Sequence, residues 1–260
     1  MQMTAPAAVH PTNQDPSQAP PNFDSLARFY RWMELAAFGP WLWWCRCHFL
    51  GKMGLCRRAL ILGDGDGRFT ARLLQTNRTI RIDAVDASPA MLRSLVRRAG
   101  PHRDRVQTHL DDARRWQPAG PAADPGQNLP YDLVITHFFL DCLTEAEIRA
   151  LAATLRAAIS PTAKWVVSEF AVPEGWFGTL VARPVVWGLY CAFGWLTGLK
   201  VRQLPGYGMV LRQAGFSLEM RRSWLGGLLI SEIWAATRAD SAPGPHSTRL
   251  EFPFEILQSC

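Results

Sequence analysis

The sequence predicts an α/β fold built on a mostly parallel sheet, and three observations predict it. Short apolar runs alternate with capped helices from about Arg57 to Arg238. The first run enters the turn Gly63-Asp64-Gly65-Asp66-Gly67, and the second closes on Asp86. Strands that alternate with helices need crossover connections, and crossovers leave the strands parallel. A chain of 260 residues fits one such domain with decorations, and 48% apolar against 19% charged residues can fill its core.

Residues 1–21 are rich in Pro, Gln, Ala and Ser and are expected to be disordered. Residues 22–56 read as a helical N-terminal cap, dense in aromatic side chains (Phe29, Tyr30, Trp32, Phe38, Trp41, Trp43, Trp44, Phe49) and broken at Gly39-Pro40. The main domain, 57–238, follows. Its expected strands are Arg58–Leu62, Ile80–Val85, Val106–Leu110, Asp132–Thr136, Lys164–Phe170, Phe216–Arg221 and Leu228–Ala236. The helices between them carry their own punctuation. Ser88-Pro89 is an N-cap with proline at the first helical position, and Gly100-Pro101 stops that helix. Thr144 and Glu147 form a capping box ahead of a helix that stops at Ser160-Pro161, and Gly215 closes the last helix. Trp116 to Pro130 reads as a surface loop. Residues 172–208 form an inserted helical lid between the fifth strand and the last helix, and 239–260 form a tail that is polar first and then apolar.

The formal charge of +6 permits contact with nucleic acid or an anionic membrane. Its arginines are scattered, however (Arg57, Arg58, Arg97, Arg98, Arg114, Arg115, Arg221, Arg222), with no basic run or aromatic RNA-binding motif, which disfavours nucleic acid. Met1 to Pro21 lacks the basic start and apolar stretch of a secretory signal, so a cytoplasmic, reducing location is expected, with contact at most peripheral to a membrane. The 6 cysteines then default to free thiols; Cys45, Cys47 and Cys56 with His48 fit neither a zinc knuckle nor a zinc ribbon, and no metal site is expected. The apolar run Val181–Leu199 is borderline in length against the about 20 residues of a membrane span, is interrupted by Arg183-Pro184 and glycines, and sits between strands of one domain; a helical lid is the expectation.

Three alternate glycines at a strand-to-helix turn let a ligand approach the backbone. A dinucleotide fingerprint needs GxGxxG, whereas Arg68 stands at the third glycine's place and the pattern is GxGxG. Both spacers are acidic, and a pyrophosphate would meet Asp64 and Asp66 where it needs positive potential. S-adenosylmethionine (SAM) has no phosphate; it brings an ammonium and a sulfonium, which these charges favour over NAD. Asp86, about 20 residues further on, is placed to accept both ribose hydroxyls. Ala87 and Met91 follow, the latter able to lie against an adenine face, and after the third strand Asp111 or Asp112 with the N–H of Ala113 can meet the adenine edge.

Together these pieces resemble the class I SAM-dependent methyltransferases. The matching runs are Leu60 to Phe69, Ile82 to Met91, Asp111-Asp112-Ala113 and Tyr131 to Leu140, in the family's order and spacing. The resemblance implies a Rossmann-like seven-stranded sheet of order 3-2-1-4-5-7-6 with the last strand antiparallel. It further implies SAM across the carboxyl ends of the first strands. Gly63, Asp64, Gly65, Gly67, Asp86, Ala87, Met91, Asp112, Ala113 and Thr136 are its expected contacts. Asp66 departs from the family, whose second spacer is usually apolar or small. The aromatic cap and lid look like the small-molecule branch, as in quinone-type methyltransferases, where such elements roof the acceptor.

Methyl transfer from a sulfonium needs alignment and exclusion of water, and a base only where the acceptor must lose a proton. His137, at the end of the fourth strand, is the candidate base; the alternative is that it fixes the methionine end of SAM. Tyr30, His137, Trp176 and Tyr190 are candidates for the acceptor side, and Glu169 could also line it. The aromatic roof points to a small hydrophobic acceptor, or to docking at a lipid interface, and leaves a monomer and a homodimer both open. In another class altogether, the chain is a non-catalytic SAM-fold scaffold that contacts a partner or a membrane.

Overall fold

In the computed structural model the described residues are 38–118, 129–189 and 204–237. Seven strands form one sheet of order β3-β2-β1-β4-β5-β7-β6, as the resemblance implied. They are β1 (Arg58–Leu62), β2 (Arg81–Asp86), β3 (Val106–Leu110), β4 (Tyr131–His137), β5 (Ile159–Phe170), β6 (Phe216–Trp224) and β7 (Leu229–Ala236). The first five are parallel, and β7 runs antiparallel between β5 and β6. Ala59, Leu60, Ile61 and Leu62 of β1 are all buried, because a central parallel strand is covered on both faces.

The covering helices are α1 (Trp41–Cys47), α2 (Arg68–Thr76), α3 (Pro89–Ala99), α4 (Glu145–Ala158) and α5 (Tyr207–Gln213). α2 and α3 pack Phe69, Leu73, Leu74 and Leu95 against one face; α4 and α5 pack Ile148, Leu151, Leu155 and Leu211 against the other. The predicted caps form. Ser88 Oγ accepts from Met91 N at 3.2 Å, and Thr144 and Glu147 make the reciprocal capping box. Strand limits differ from expectation mainly at β5, which begins at Ile159 instead of Lys164. The chain leaves α4 straight into an irregular pairing with β4, with the register shift between Tyr131 and Leu133 absorbing Ser160-Pro161.

The cap and the lid come together as a third apolar cluster. Phe38, Leu42 and Cys45 pack with Ala182, Val186, Leu228 and Leu229. The lid is helical over residues 176–189, with a π turn at Gly178–Ala182. Cys45 Sγ donates to the Ile230 carbonyl at 3.2 Å, which ties α1 to the start of β7. Phe138 after β4 and Phe170 at the end of β5 pack against this roof, on the edge where an α/β sheet binds its ligands.

Candidate active site

β1 delivers a turn in which Gly63, Gly65 and Gly67 have φ of +67°, +63° and +79°. Residues with a Cβ are strained in this region. The three are glycine for different reasons. A Cβ at Gly63 would stand 2.7 Å from Phe139 Cδ2 and one at Gly67 would stand 2.5 Å from Leu95 Cα, whereas at Gly65 nothing lies within 4 Å. The outer two are packing positions; Gly65 is the open floor of a cradle.

The two aspartates each have partners within the protein. Asp64 Oδ2 accepts from Thr70 N at 2.9 Å and from Thr70 Oγ1 at 2.6 Å, supplying the start of α2 with the side-chain cap that Gly67 lacks. Burial pushes its pKa up to about 6, against the Thr70 bonds. Asp66 is held by Arg68 Nε at 3.1 Å and by Arg98 Nη2 at 2.9 Å. One carboxylate thus serves as a helix cap, and the other is paired with arginines. The loop's exclusion of a pyrophosphate is weaker than its sequence implied.

Asp86 ends β2 beside the glycine turn, where Gly63 N donates to Val85 O at 3.0 Å. Its Oδ1 accepts from Ser88 N at 2.9 Å, fixing the turn that carries the partly exposed Ala87 and Met91. Next door, Asp111 N donates to Asp86 O at 3.2 Å. The Asp112 carboxylate is gripped by Arg114, which also reaches Glu147. Although burial opposes ionisation, Arg114 keeps its pKa below the usual range. Ala113 packs with Trp116 in the core, so its backbone, not its methyl, is what it offers an adenine.

At the end of β4, Thr136 is fully buried and its Oγ1 accepts from Trp165 Nε1 at 2.9 Å. Its side chain faces the sheet's interior, away from the edge predicted for it. His137 points the other way, edge-on to Phe69 with centroids 4.5 Å apart. Both its ring nitrogens are buried without a hydrogen-bond partner among the described residues. Burial, and then the charge of Arg46, push its pKa well below the ordinary value, so the ring is neutral. Phe138 follows at φ +54°, and Glu169 Oε1 stabilises the bend by accepting from Phe139 N at 3.0 Å and Leu140 N at 2.8 Å. Burial and the neighbouring Asp141 raise the Glu169 pKa well above its usual value.

Arg46 was not among the sequence-predicted residues. It sits in α1 with its guanidinium 5.2 Å from the Phe138 ring centroid, and its charge is felt at both Asp64 and His137. The only signal for it was a lone arginine in an aromatic helix. Tyr30 and Tyr190 lie outside the described residues. Trp176 faces solvent.

Beyond the Phe138–Phe170 ring pair, centroids 5.0 Å apart, a cavity of about 1020 Å³ opens under the lid, lined by Val186, Trp187, Tyr207, Leu218, Glu232 and Trp234 among others. Glu232 Oε2 accepts from Tyr207 OH at 3.0 Å and Trp234 Nε1 at 2.8 Å, and Arg221 pairs with Oε1 at 3.4 Å. A buried carboxylate so completely partnered fixes the wall of the cavity. Among the described residues no group of three or more His, Cys, Asp or Glu could hold a metal, and no helix is long and apolar enough to cross a membrane.

Residues 60–164, from β1 into β5, match the family model of a methyltransferase domain. Solved structures share the fold. Mitomycin 7-O-methyltransferase MmcR superposes with a TM-score of 0.60 at 14% identity, covering 81% of this chain and 58% of its own. The family match, the sheet order and the glycine turn agree on one fold. This is a class I SAM-dependent methyltransferase fold. An O-methyltransferase family protein from Burkholderia thailandensis gives a TM-score of 0.60 at 16% identity over 86% of this chain and 66% of that one. N-methyltransferase NodS from Bradyrhizobium japonicum, solved with S-adenosyl-L-homocysteine, gives 0.53 at 14% identity over 74% and 86%. The chain therefore spans only 58% of the length of the first of these structures, and identities so low carry the fold alone. No curated protein matches the chain in sequence.

The residues present fit the methyltransferase fold's cofactor. The floor at Gly65 is open, Asp86 stands at the adjacent strand end, and His137 offers unpartnered buried nitrogens behind the turn.

Proposed function

We propose that the chain binds SAM across the ends of β1, β2 and β4 and transfers its methyl group to a small hydrophobic or aromatic acceptor beneath the lid. The observation that carries this reading is the open left-handed Gly65 flanked by two packed glycines, with Asp86 ending the next strand. When bound, SAM supplies a methyl group already activated by the sulfonium charge. The chain's own work is then to bind, to orient and to exclude water.

Asp86 accepts the ribose hydroxyls, and Met91 covers the adenine. Arg46, the cation nearest the glycine turn from α1, attracts the cofactor's carboxylate. His137 is a neutral positioning group in this scheme, since its ring lies behind the turn against Phe69, away from the cavity under the lid. The aromatic and aliphatic lining of that cavity supports an apolar acceptor and a kinship with the quinone-type branch.

Isothermal titration and thermal shift with SAM, S-adenosyl-L-homocysteine and NAD test the reading. A ligand at 100 times its Kd adds about 2.7 kcal/mol. Stabilisation by NAD alone, or SAM affinity unchanged in Asp86→Ala, overturns it. SAM binding with no transfer of labelled methyl to any component of a metabolite and lipid extract turns the assignment to a non-catalytic scaffold.

A further inference from the structure

A run of exposed large apolar side chains gathers on one segment. Trp176 is 73% exposed, Leu180 70% and Trp187 67%, with Val172, Val181 and Val185 beside them. Met209, 67% exposed, stands across the cavity from Trp187, and both residues line it. The residues at 176, 180 and 187 follow the spacing of one helix face. The opposite side of the same helix, Ala182 and Val186, is buried against α1 and the start of β7, so the outer face is not spare core. Soluble proteins rarely leave so much contiguous apolar surface in water, and tryptophan with leucine beside arginine is the composition of an interfacial helix.

The charge around this face is positive. Arg183, Arg212 and Arg221 line the cavity, and the buried Glu232 pairs with Arg221, so the lining keeps an excess of positive charge at Arg183 and Arg212. Glu174 is the one acidic side chain of residues 172–189, against Arg183. The whole chain carries +6.

We propose that the outer face of residues 172–187, with Met209, docks on the surface of an anionic bilayer with the mouth of the cavity turned toward the lipid. Trp176, Leu180 and Trp187 enter the headgroup boundary, and the arginines lie at the level of the lipid phosphates. The acceptor then enters the cavity from the membrane; this last clause rests on the proposed function, whereas the docking itself does not.

Sedimentation of the full chain with phosphatidylglycerol vesicles, and separately with phosphatidylcholine vesicles, tests the docking. Binding to the first, much weaker binding to the second, and weakening by added salt are expected. The double variant Trp176→Ser/Leu180→Ser, at two exposed positions outside the cavity lining, should lower the partition coefficient about tenfold or more. Its thermal shift with SAM should match the parent chain, which also shows that it folds. Absence of binding to phosphatidylglycerol vesicles overturns the proposal, as does equal binding by the variant. Concentration-dependent dimerisation without lipid, abolished in the variant, overturns it too and assigns the face to a second copy of the chain. Vesicle binding without SAM binding would sink the proposed function and leave the docking standing.

Discussion

Arg98, in the last turn of α3, donates to the Asp66 carboxylate at 2.9 Å across 32 positions of sequence, clamping the glycine turn between two helices. Both partners are partly exposed, so the pair is worth at most about 1 kcal/mol. Arg98→Ala should lower Tm by about 3 °C or less, and high salt should erase most of the difference. Melting curves at low and high ionic strength check this. A large, salt-independent loss would mean that the clamp is structural in some other way.

The glycines should separate stability from binding. Gly67→Ala puts a methyl group into Leu95 at a left-handed residue and should destabilise by several kcal/mol, roughly the sum of a strained φ and an overpacked core. Gly65→Ala meets no neighbour and should cost only about 1 kcal/mol, yet its methyl fills the floor of the cradle. Denaturant unfolding and SAM titration of the two variants should therefore rank them in opposite senses, with Gly65→Ala stable but at least about tenfold weaker in binding.

Asp64 makes stability depend on pH with an unusual sign. Its pKa is raised from 3.8 to about 6 by burial, so between these values the folded chain holds more protons than the unfolded one. This contribution to stability is therefore lost as pH rises through that window and is flat above it. Asp64→Asn keeps an oxygen for the Thr70 donors but cannot ionise. It should match the parent near pH 4 and exceed it at pH 7, by up to about 3 kcal/mol. Unfolding measured across pH 4–7 gives the comparison, and a variant less stable at pH 7 contradicts the inward, desolvated carboxyl.

Asp83 behaves in the opposite way. Burial disfavours its charge, but His109, Arg58 and Tyr131 all bond it, and together they hold its pKa below the ordinary value. Such a carboxylate stabilises the fold above about pH 4, and the benefit disappears as pH falls through its folded pKa. Asp83→Asn strands Arg58 and should cost about 3 kcal/mol at pH 7, the gap narrowing in acid. Chemical denaturation at pH 7 and pH 3 tests it.

What the sequence made legible was local. Apolar runs located every strand to within a few residues, because β1, β4 and β5 are buried on both faces and tolerate little else. Ser88 and the Thr144–Glu147 pair announced two helix starts through chemistry that acts over three residues. The glycine turn was visible, but the fate of its charges was not. Asp64 is captured by Thr70, six positions on, and Asp66 by Arg98 on another helix, and nothing in GxGxG records either partner. Thr136 was expected at the site because, like His137, it lies at the end of the fourth strand; alternation along β4 sends the two side chains to opposite faces. Arg46 was hidden for a related reason, since only the packing of α1 brings it to the turn.

The sulfur of Cys45 and the carbonyl it contacts on β7 are separated by 185 positions. The helix made early in synthesis can rest Trp43 and Cys47 on the cluster of β1 and α2, but Leu42 and Cys45 meet their surface only once the final strand of the sheet has slotted between its neighbours. The sheet can assemble outward from β1 through near-sequence pairings, but the roof closes last, by a contact that spans most of the domain. Until then Leu42 and Cys45 stay in water, and a chain halted before β7 would display that face of α1 to any chaperone present.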